Sequence, residues 1–272
     1  MSEILITTSC LIRKSLAELS IHQRSEHVNW SNKTIIAFDL GYTLVTNDRV
    51  KHYHQYLKEK NIDMNVSEVE QAFHLIDKKF MREYPKVIST GWNAYFPWFL
   101  GLVNFHLKLT FDLVEQCDFI KQAAVKQGPP FWKPFPWTFE VLAALQARSY
   151  QLALLSNWDH SARPILGKLG LTDYFETIII SDEFGCEKPD VEIFRELLRQ
   201  TGSPPENILY VGDNYYDDAV GALQAGIDTV ILNPYERIGI EETDHPHVVN
   251  SIRDLLTLLP AREEEGHVHQ HR

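Results

Sequence analysis

Residues suited to chemistry recur in this chain just after short apolar runs. Asp39 follows Thr34-Ile35-Ile36-Ala37-Phe38, Ser156 and Asn157 end a run that begins at Leu152, and Asp213 follows Ile208-Leu209-Tyr210-Val211-Gly212. Lys188 lies in Cys186-Glu187-Lys188-Pro189-Asp190, after Ile178-Ile179-Ile180, and Asp217 and Asp218 come soon after Asp213. The chemistry these groups suit is nucleophilic attack by a carboxylate with a hard cation beside it. Asp39 can become a covalent ester at a phosphorus or carbon centre, which divides one hard step into two. Asp213, with Asp217 or Asp218 behind it, offers oxygen ligands to Mg²⁺, which takes one or two carboxylates plus substrate oxygens and water. Such a cation lets an anionic nucleophile approach an anionic phosphoryl group. Lys188 adds a fixed positive charge, and the Ser156 hydroxyl can donate to phosphoryl oxygens. Thr43 and Asn157 are the further substrate contacts expected on the same loops. A single Asp after a strand is commonly a turn or cap residue. Polar groups at four successive strand ends, converging on one edge, carry the functional reading.

The elements that must position them follow from the apolar pattern. Runs of about four apolar residues at 34–38, 152–155, 178–180, 208–211 and 229–232 predict strands buried on both faces. Helical patterns lie between them, at 139–147, 164–169, 191–200 and 218–224, with a closing helix at 251–259. This alternation implies right-handed crossovers and a parallel sheet, whose ligands gather at the carboxyl ends of the strands. Residues 49–131 read differently. Helices are expected near 50–57, over 66–84 with Ser67 as N-cap and Pro85 past its end, and over 112–126 before Gly128-Pro129-Pro130. The expected fold is therefore α/β, a Rossmann-like core of residues 34–48 and 132–260 interrupted by an all-helical cap at 49–131. Residues 1–33 read as an N-terminal extension, and the charged, His-rich residues 261–272 as a disordered tail.

These motifs resemble the haloacid dehalogenase-like hydrolase superfamily over residues 34–48 and about 132–260, with the insertion where that family places its cap. The resemblance rests on Leu155-Ser156-Asn157, on Glu187-Lys188-Pro189-Asp190 followed by Ile193-Phe194, and on Val211-Gly212-Asp213-Asn214 with Asp218, Gly221 and Ala222. It implies an aspartyl intermediate at Asp39, Mg²⁺ in most members, transferred-group contacts from Ser156 and Lys188, and metal ligation by Asp39, Asp213 and the main-chain carbonyl at position 41. Asp218 matches the second acid of the last motif better than Asp217 does.

One departure matters. The family usually carries a second Asp two residues after the nucleophile, as general acid and base; here that residue is Gly41. The carbonyl ligand survives, but the proton donor is lost, and such transfer is typically worth about 10²–10⁴ in rate. A phosphatase with another acid or a good leaving group is the leading reading. Hydrolysis of a carbon–halogen or carbon–phosphorus bond, phosphotransfer, and a catalytically inactive binding protein are the alternatives. Asp159, close after Ser156, is one replacement acid to consider.

Composition narrows the partners. The 272 residues include 37 acidic and 26 basic side chains, a formal net charge of −11, which disfavours nucleic acid and anionic membranes. Three distant cysteines predict neither a zinc site nor a disulfide framework, and a cytoplasmic location is expected. His52, His54, His74 and His106 lack ligand spacing. Five of the six tryptophans fall between 92 and 158, where they can pack the cap or line an apolar pocket. The expected substrate is a small phosphorylated molecule with an apolar part. The four carboxylates are then a cation site rather than a barrier to phosphate.

Overall fold

A computed structural model describes residues 28–87 and 91–262. The elements in chain order begin with β1 (Ile35–Phe38) and β2 (Val45–Asn47), then helices α1 (Arg49–Glu59), α2 (Val66–Glu83), α3 (Trp92–His106) and α4 (Leu113–Gln127). Next come β3 (Trp132–Pro134), α5 (Thr138–Ala147), β4 (Gln151–Ser156), α6 (Ala162–Leu169), β5 (Thr177–Ile180), the short α7 (Ser181–Phe184) and α8 (Val191–Thr201). The chain ends its described part with β6 (Ile208–Gly212), α9 (Val220–Gln224), β7 (Asp228–Leu232), β8 (Val248–Val249) and α10 (Leu255–Leu258).

Six of these strands form one parallel sheet in the order β5-β4-β1-β6-β7-β8. The first strand is thus central, with β4 on one side and β6 on the other. In register, Phe38 lies level with Leu154 and Val211, which brings Asp39, Ser156 and Gly212 to the same edge. Successive side chains of β1 alternate between two apolar layers. Ile36 and Phe38 pack with Val141, Leu142 and Leu145 of α5, whereas Ile35 and Ala37 pack with Ile193, Phe194 and Leu197 of α8. Burial on both faces explains why these strands are unbroken apolar runs.

The helices between β2 and β3 have a core of their own, built on Tyr53, Phe73, Phe80, Phe96 and Phe99. Inside it Tyr53 Oη donates to Asn104 Oδ1 (2.7 Å), and Asn104 Nδ2 donates to Gln116 Oε1 (2.8 Å), so these three buried side chains satisfy one another. The two passages between sheet and helices are joined, because β2 and β3 pair antiparallel with Val45 opposite Pro134 and Asn47 opposite Trp132.

Several details differ from the sequence reading. Helix α3 was not expected: Trp92–His106 is apolar on most sides and contains Pro97, so it shows neither an amphipathic period nor a clean start. Helix α2 is capped by Asn65, whose side chain accepts from the Ser67 amide, and not by Ser67. The helix read from Asp218 begins as a π-turn at Tyr215–Ala219 before α9. Lys33, placed with the N-terminal extension, belongs to the core. Fully buried, it donates to the carbonyls of Glu206 (2.7 Å) and Ile208 (3.1 Å) and pairs with Asp228. Arg262, placed with the tail, donates to the Lys33 carbonyl at 2.8 Å. The remainder of both expected segments, 1–27 and 263–272, lies outside the described residues, as does Cys10. Among the described residues Cys117 and Cys186 are free, and no helix is long and apolar enough to cross a membrane.

Candidate active site

Asp39 is the first residue past β1, and its amide donates to the Val211 carbonyl of β6 (2.9 Å), extending the ladder by one bond. The carboxyl group is consequently held rigidly at the carboxyl edge of the sheet and is 7% exposed. Its Oδ1 accepts two hydrogen bonds, from Ser156 Oγ (2.9 Å) and from Lys188 Nζ (2.7 Å). Among the described residues Oδ2 has no hydrogen-bond partner. Burial, together with Asp218 and Asp213, pushes the Asp39 carboxyl up to about 6, against the pull of Lys188.

Lys188 is a buried ammonium with three oxygen partners: Asp39 Oδ1, Asp218 Oδ1 (2.6 Å) and Tyr210 Oη (3.1 Å). Tyr210 in turn donates to the Leu155 carbonyl at 2.7 Å, so the phenol is fixed between two strands with its lone pair toward the lysine. The Lys188 main chain is fixed as well. Its amide donates to Asn157 Oδ1 (2.7 Å), and Asn157 Nδ2 donates to the Lys188 carbonyl (2.9 Å). The Asn157 amide is therefore engaged at both ends in holding this loop, which differs from the substrate contact expected of it. Thr43 also departs from expectation: its hydroxyl is buried without a partner, and the residue does not line the cleft.

The last motif supplies the remaining carboxylates. Asp218 is buried and fully committed, with Oδ1 on Lys188 and Oδ2 accepting from the Asn214 amide (2.9 Å). A side chain at Gly212 would meet the Asp218 carboxyl group at about 2.1 Å, so only glycine lets β6 run this close. Asp217 faces the same cleft with no hydrogen bond among the described residues, and burial plus Asp218 pushes its carboxyl well up. Asp213, also raised chiefly by burial, has Oδ2 on the ammonium of Lys78 (2.8 Å), which further donates to the Asp213 carbonyl (2.5 Å). Lys78 comes from α2 of the helical insertion.

The groups open on a cleft of about 1080 Å³ between the sheet edge and the insertion. Asp39, Gly41, Ser156, Lys188, Asp213 and Asp217 lie along its polar floor, with Asn157 and Asp218 beside them. Its wall includes Tyr42, Trp92, Tyr95, Phe131, Trp132 and Trp158, so three of the tryptophans reach the cleft, while Trp137 packs in the core and Trp98 against Phe80 and Tyr84. At Gly41 a Cβ would lie 3.3 Å from Cζ3 of Trp158, whose ring packs edge-on against Trp132. An aromatic edge thus crowds the position where the family carries its acid. Asp159 is exposed, accepts from the Ser161 amide (2.8 Å), and is held below the ordinary carboxylate range by those bonds to Ser161. It lines the cleft next to Trp158, and its bonds to Ser161 favour the ionised form over the protonated form that a replacement acid needs.

Sequence reasoning missed three members of this set. Lys78 and Tyr210 have been described. The third, Arg49 at the start of α1, is paired with both oxygens of Asp77 and lies over the Tyr42 ring at 4.3 Å. Tyr210 reads as strand core and Lys78 as a helix surface; only the Asp39–Arg49 proximity to the hinge was a usable signal.

The donor set can be tested against a cation. Among the described residues no group of three or more His, Cys, Asp or Glu side chains has metal-holding spacing. That excludes a preformed all-side-chain cage there, but Mg²⁺ needs only one or two carboxylates, completed by carbonyl and water oxygens. Asp213 keeps Oδ1 without a hydrogen bond among the described residues, the Asp39 carboxylate lies on the same floor, and Gly41 lines it too. The set fits a hard cation.

Residues 33–226 match the haloacid dehalogenase-like hydrolase family. Glyceraldehyde 3-phosphate phosphatase of Methanothermobacter thermautotrophicus is 26% identical over 230 residues, covering 82% of this chain and 83% of that protein. Pyrimidine 5'-nucleotidase YjjG of Escherichia coli is 32% identical over 142 residues, 52% of this chain and 63% of that protein. In fold, the chain is similar to Bacillus subtilis YfnB, solved bound to magnesium, with a TM-score of 0.58 and 19% identity over 84% of this chain and 98% of that one. A match across most of the core, on a parallel sheet whose central strand delivers a buried aspartate to the cleft, makes this chain a member of the haloacid dehalogenase-like hydrolase family.

Proposed function

We propose that this hydrolase is a Mg²⁺-dependent phosphatase of a small phosphorylated molecule, working through an aspartyl-phosphate at Asp39. The observation that carries the reading is the asymmetry of the Asp39 carboxylate. One oxygen is anchored by Ser156 and Lys188, while the other has no hydrogen-bond partner among the described residues and is available to attack. The Asp39 oxygen forms a bond to phosphorus as the bond to the leaving oxygen breaks, and the leaving oxygen takes a proton from solvent. Water then attacks phosphorus, breaks its bond to the Asp39 oxygen, returns a proton to solvent and releases phosphate with Asp39 restored. Lys188 and Ser156 hold the nucleophile and present positive charge and a donor to phosphoryl oxygens. Asp39, Asp213 and the Gly41 carbonyl would hold the cation, which supplies positive charge to offset that of the phosphoryl group. The names of two relatives, both phosphatases of small phosphate esters, support the substrate class. The aromatic wall supports a leaving group with an apolar or planar body. The helical insertion would act as the cap that shields this chemistry from bulk water.

A screen of phosphate esters with Mg²⁺ tests the reading alongside Asp39→Asn. Phosphate release should appear in the wild type and fall by about four orders of magnitude or more in the variant. Release that survives the substitution would rule out the covalent route.

A further inference from the structure

Lys78 is unusual in its position. It lies on α2 among the insertion's apolar side chains, it is 1% exposed, and its ammonium reaches across the cleft to the Asp213 carboxylate and carbonyl. It is the third of four residues spaced four apart, Glu70, His74, Lys78 and Arg82, that form one stripe of α2. Every member of the stripe touches the core. Tyr235 Oη donates to Glu70 (3.3 Å), the His74 ring packs edge-on against Tyr235 (5.1 Å), and Arg82 donates to Glu242 (2.7 Å) beside the Tyr216 ring. The core makes room for the lysine stem: Gly239, at φ +83°, is so close that a Cβ there would lie 2.8 Å from Lys78 Cβ and Cγ. An ammonium delivered this deliberately to one carboxylate is part of what that carboxylate does.

Charge shows what. The floor of the cleft holds Asp39, Asp213, Asp217 and Asp218, and Lys188 offsets only one of these four formal charges. Lys78 supplies the second positive charge of this floor, on Asp213, which Lys188 does not touch. We propose that Lys78 is a member of the active site, a positioning residue that fixes Asp213 and sets the cluster's charge for one divalent cation and an anionic phosphoryl group. The inference rests on the phosphatase reading above. Lys78 takes Oδ2 of Asp213 and leaves Oδ1 for the cation, so lysine and ion share the carboxylate instead of competing for it. The site is then complete only while α2 is docked, which ties ligand affinity to the seating of the cap.

The experiment is calorimetric titration of Mg²⁺ into wild type, Lys78→Met and Lys78→Arg, followed by orthovanadate in the presence of Mg²⁺. Removing one positive charge a few ångströms away should tighten Mg²⁺ binding by about tenfold and weaken vanadate by a similar factor, while Lys78→Arg stays near wild type. Unchanged or weaker Mg²⁺ binding in a folded Lys78→Met protein would overturn the proposal. A second measurement needs no variant. Hydrogen exchange across 66–83 in the wild type should keep its protection when Mg²⁺ is added; a loss there would mean that the ion displaces the lysine, which equally overturns it. Wild-type protein that binds Mg²⁺ as described but hydrolyses no phosphate ester would sink the phosphatase reading and leave the role of Lys78 standing. Turnover with no effect of Lys78→Met on affinity would do the reverse.

Discussion

Two buried lysines reach the same carboxylates from opposite regions of the molecule, and they are held in different ways. Lys188 belongs to the sheet edge. Its ammonium touches Asp39, Asp218 and Tyr210, and its main chain is clamped by Asn157, so every anchor belongs to the sheet or to the segments that leave its carboxyl edge. Lys78 belongs to the helical insertion; its stem lies against Gly239 and its ammonium holds Asp213, within a stripe of contacts that a rigid-body movement of α2 would break together. The sheet therefore fixes the charge next to the nucleophile, and the insertion brings the charge next to the expected cation ligand. The comparison assigns permanence to one region and conditional completion to the other.

The most severe way to break the comparison is to remove the permanent charge. Lys188→Met should lower kcat by about 10²–10³, the range typical of losing one preorganised electrostatic contact to a transition state. It should also leave Asp39 without the counter-ion that lowers its proton affinity, which adds to the loss at neutral pH. Steady-state kinetics on any ester the wild type turns over will measure this. A loss smaller than that of Lys78→Met would invert the ranking of the two lysines.

How much of this was legible beforehand follows from the same division. Strands buried on both faces are written as short unbroken apolar runs, so five of them and the polar residues at their ends could be read directly. The two-residue β8 and the hinge pair β2 and β3 are too short to carry a pattern. Asp39, Ser156, Lys188, Asp213 and Asp218 were readable because local sequence places each at a strand end. Tyr210 was not, because a tyrosine inside Ile208–Gly212 looks like core, and its hydroxyl matters only once Lys188 is alongside. Lys78 was unreadable for a different reason. A lysine between Asp77 and Lys79 on an amphipathic helix looks like a solvated face, and only the docking of α2 on loops some 135 residues away buries it. Asn157 and Thr43 show the converse: the motif located them, but Asn157 is bonded to the Lys188 loop and Thr43 is buried away from the cleft.

A milder perturbation sharpens the aromatic side of the cleft. In Gly41→Asp the new Cβ must displace the Trp158 ring edge by a few tenths of an ångström. Restoring the acid alone should therefore give little. Gly41→Asp with Trp158→Ala should raise kcat/KM on alkyl phosphates by about a hundredfold relative to Trp158→Ala alone, at the low end of the range for proton transfer. Aryl esters, whose leaving oxygens need no proton, should gain nothing. Equal gains on both classes would show that position 41 acts through packing and not as an acid.

The smallest expected effect is a displacement in pH, and it distinguishes the two regions by sign. Asp39 must be ionised to attack, and burial holds its carboxyl at about 6, so at low Mg²⁺ kcat/KM should rise with pH through about 6. Positive charge at the floor favours the ionised form, so raising Mg²⁺ should move this limb toward lower pH. On stability the same group works the other way: the folded state keeps a proton between about 6 and 3.8 that the unfolded chain releases, so Asp39 favours the fold as pH falls through that window. His74, in the docking stripe of α2, is lowered to about 3 by burial and by Lys78. There the unfolded chain takes up a proton below 6.5 that the folded state refuses, so stability is lost as pH falls. Thermal unfolding followed from pH 7 to 4 should therefore decline less steeply in His74→Gln than in wild type, and more steeply in Asp39→Asn. A His74→Gln profile parallel to wild type would mean that α2 leaves the core before His74 titrates, and the insertion would then be undocked throughout the acid limb of activity.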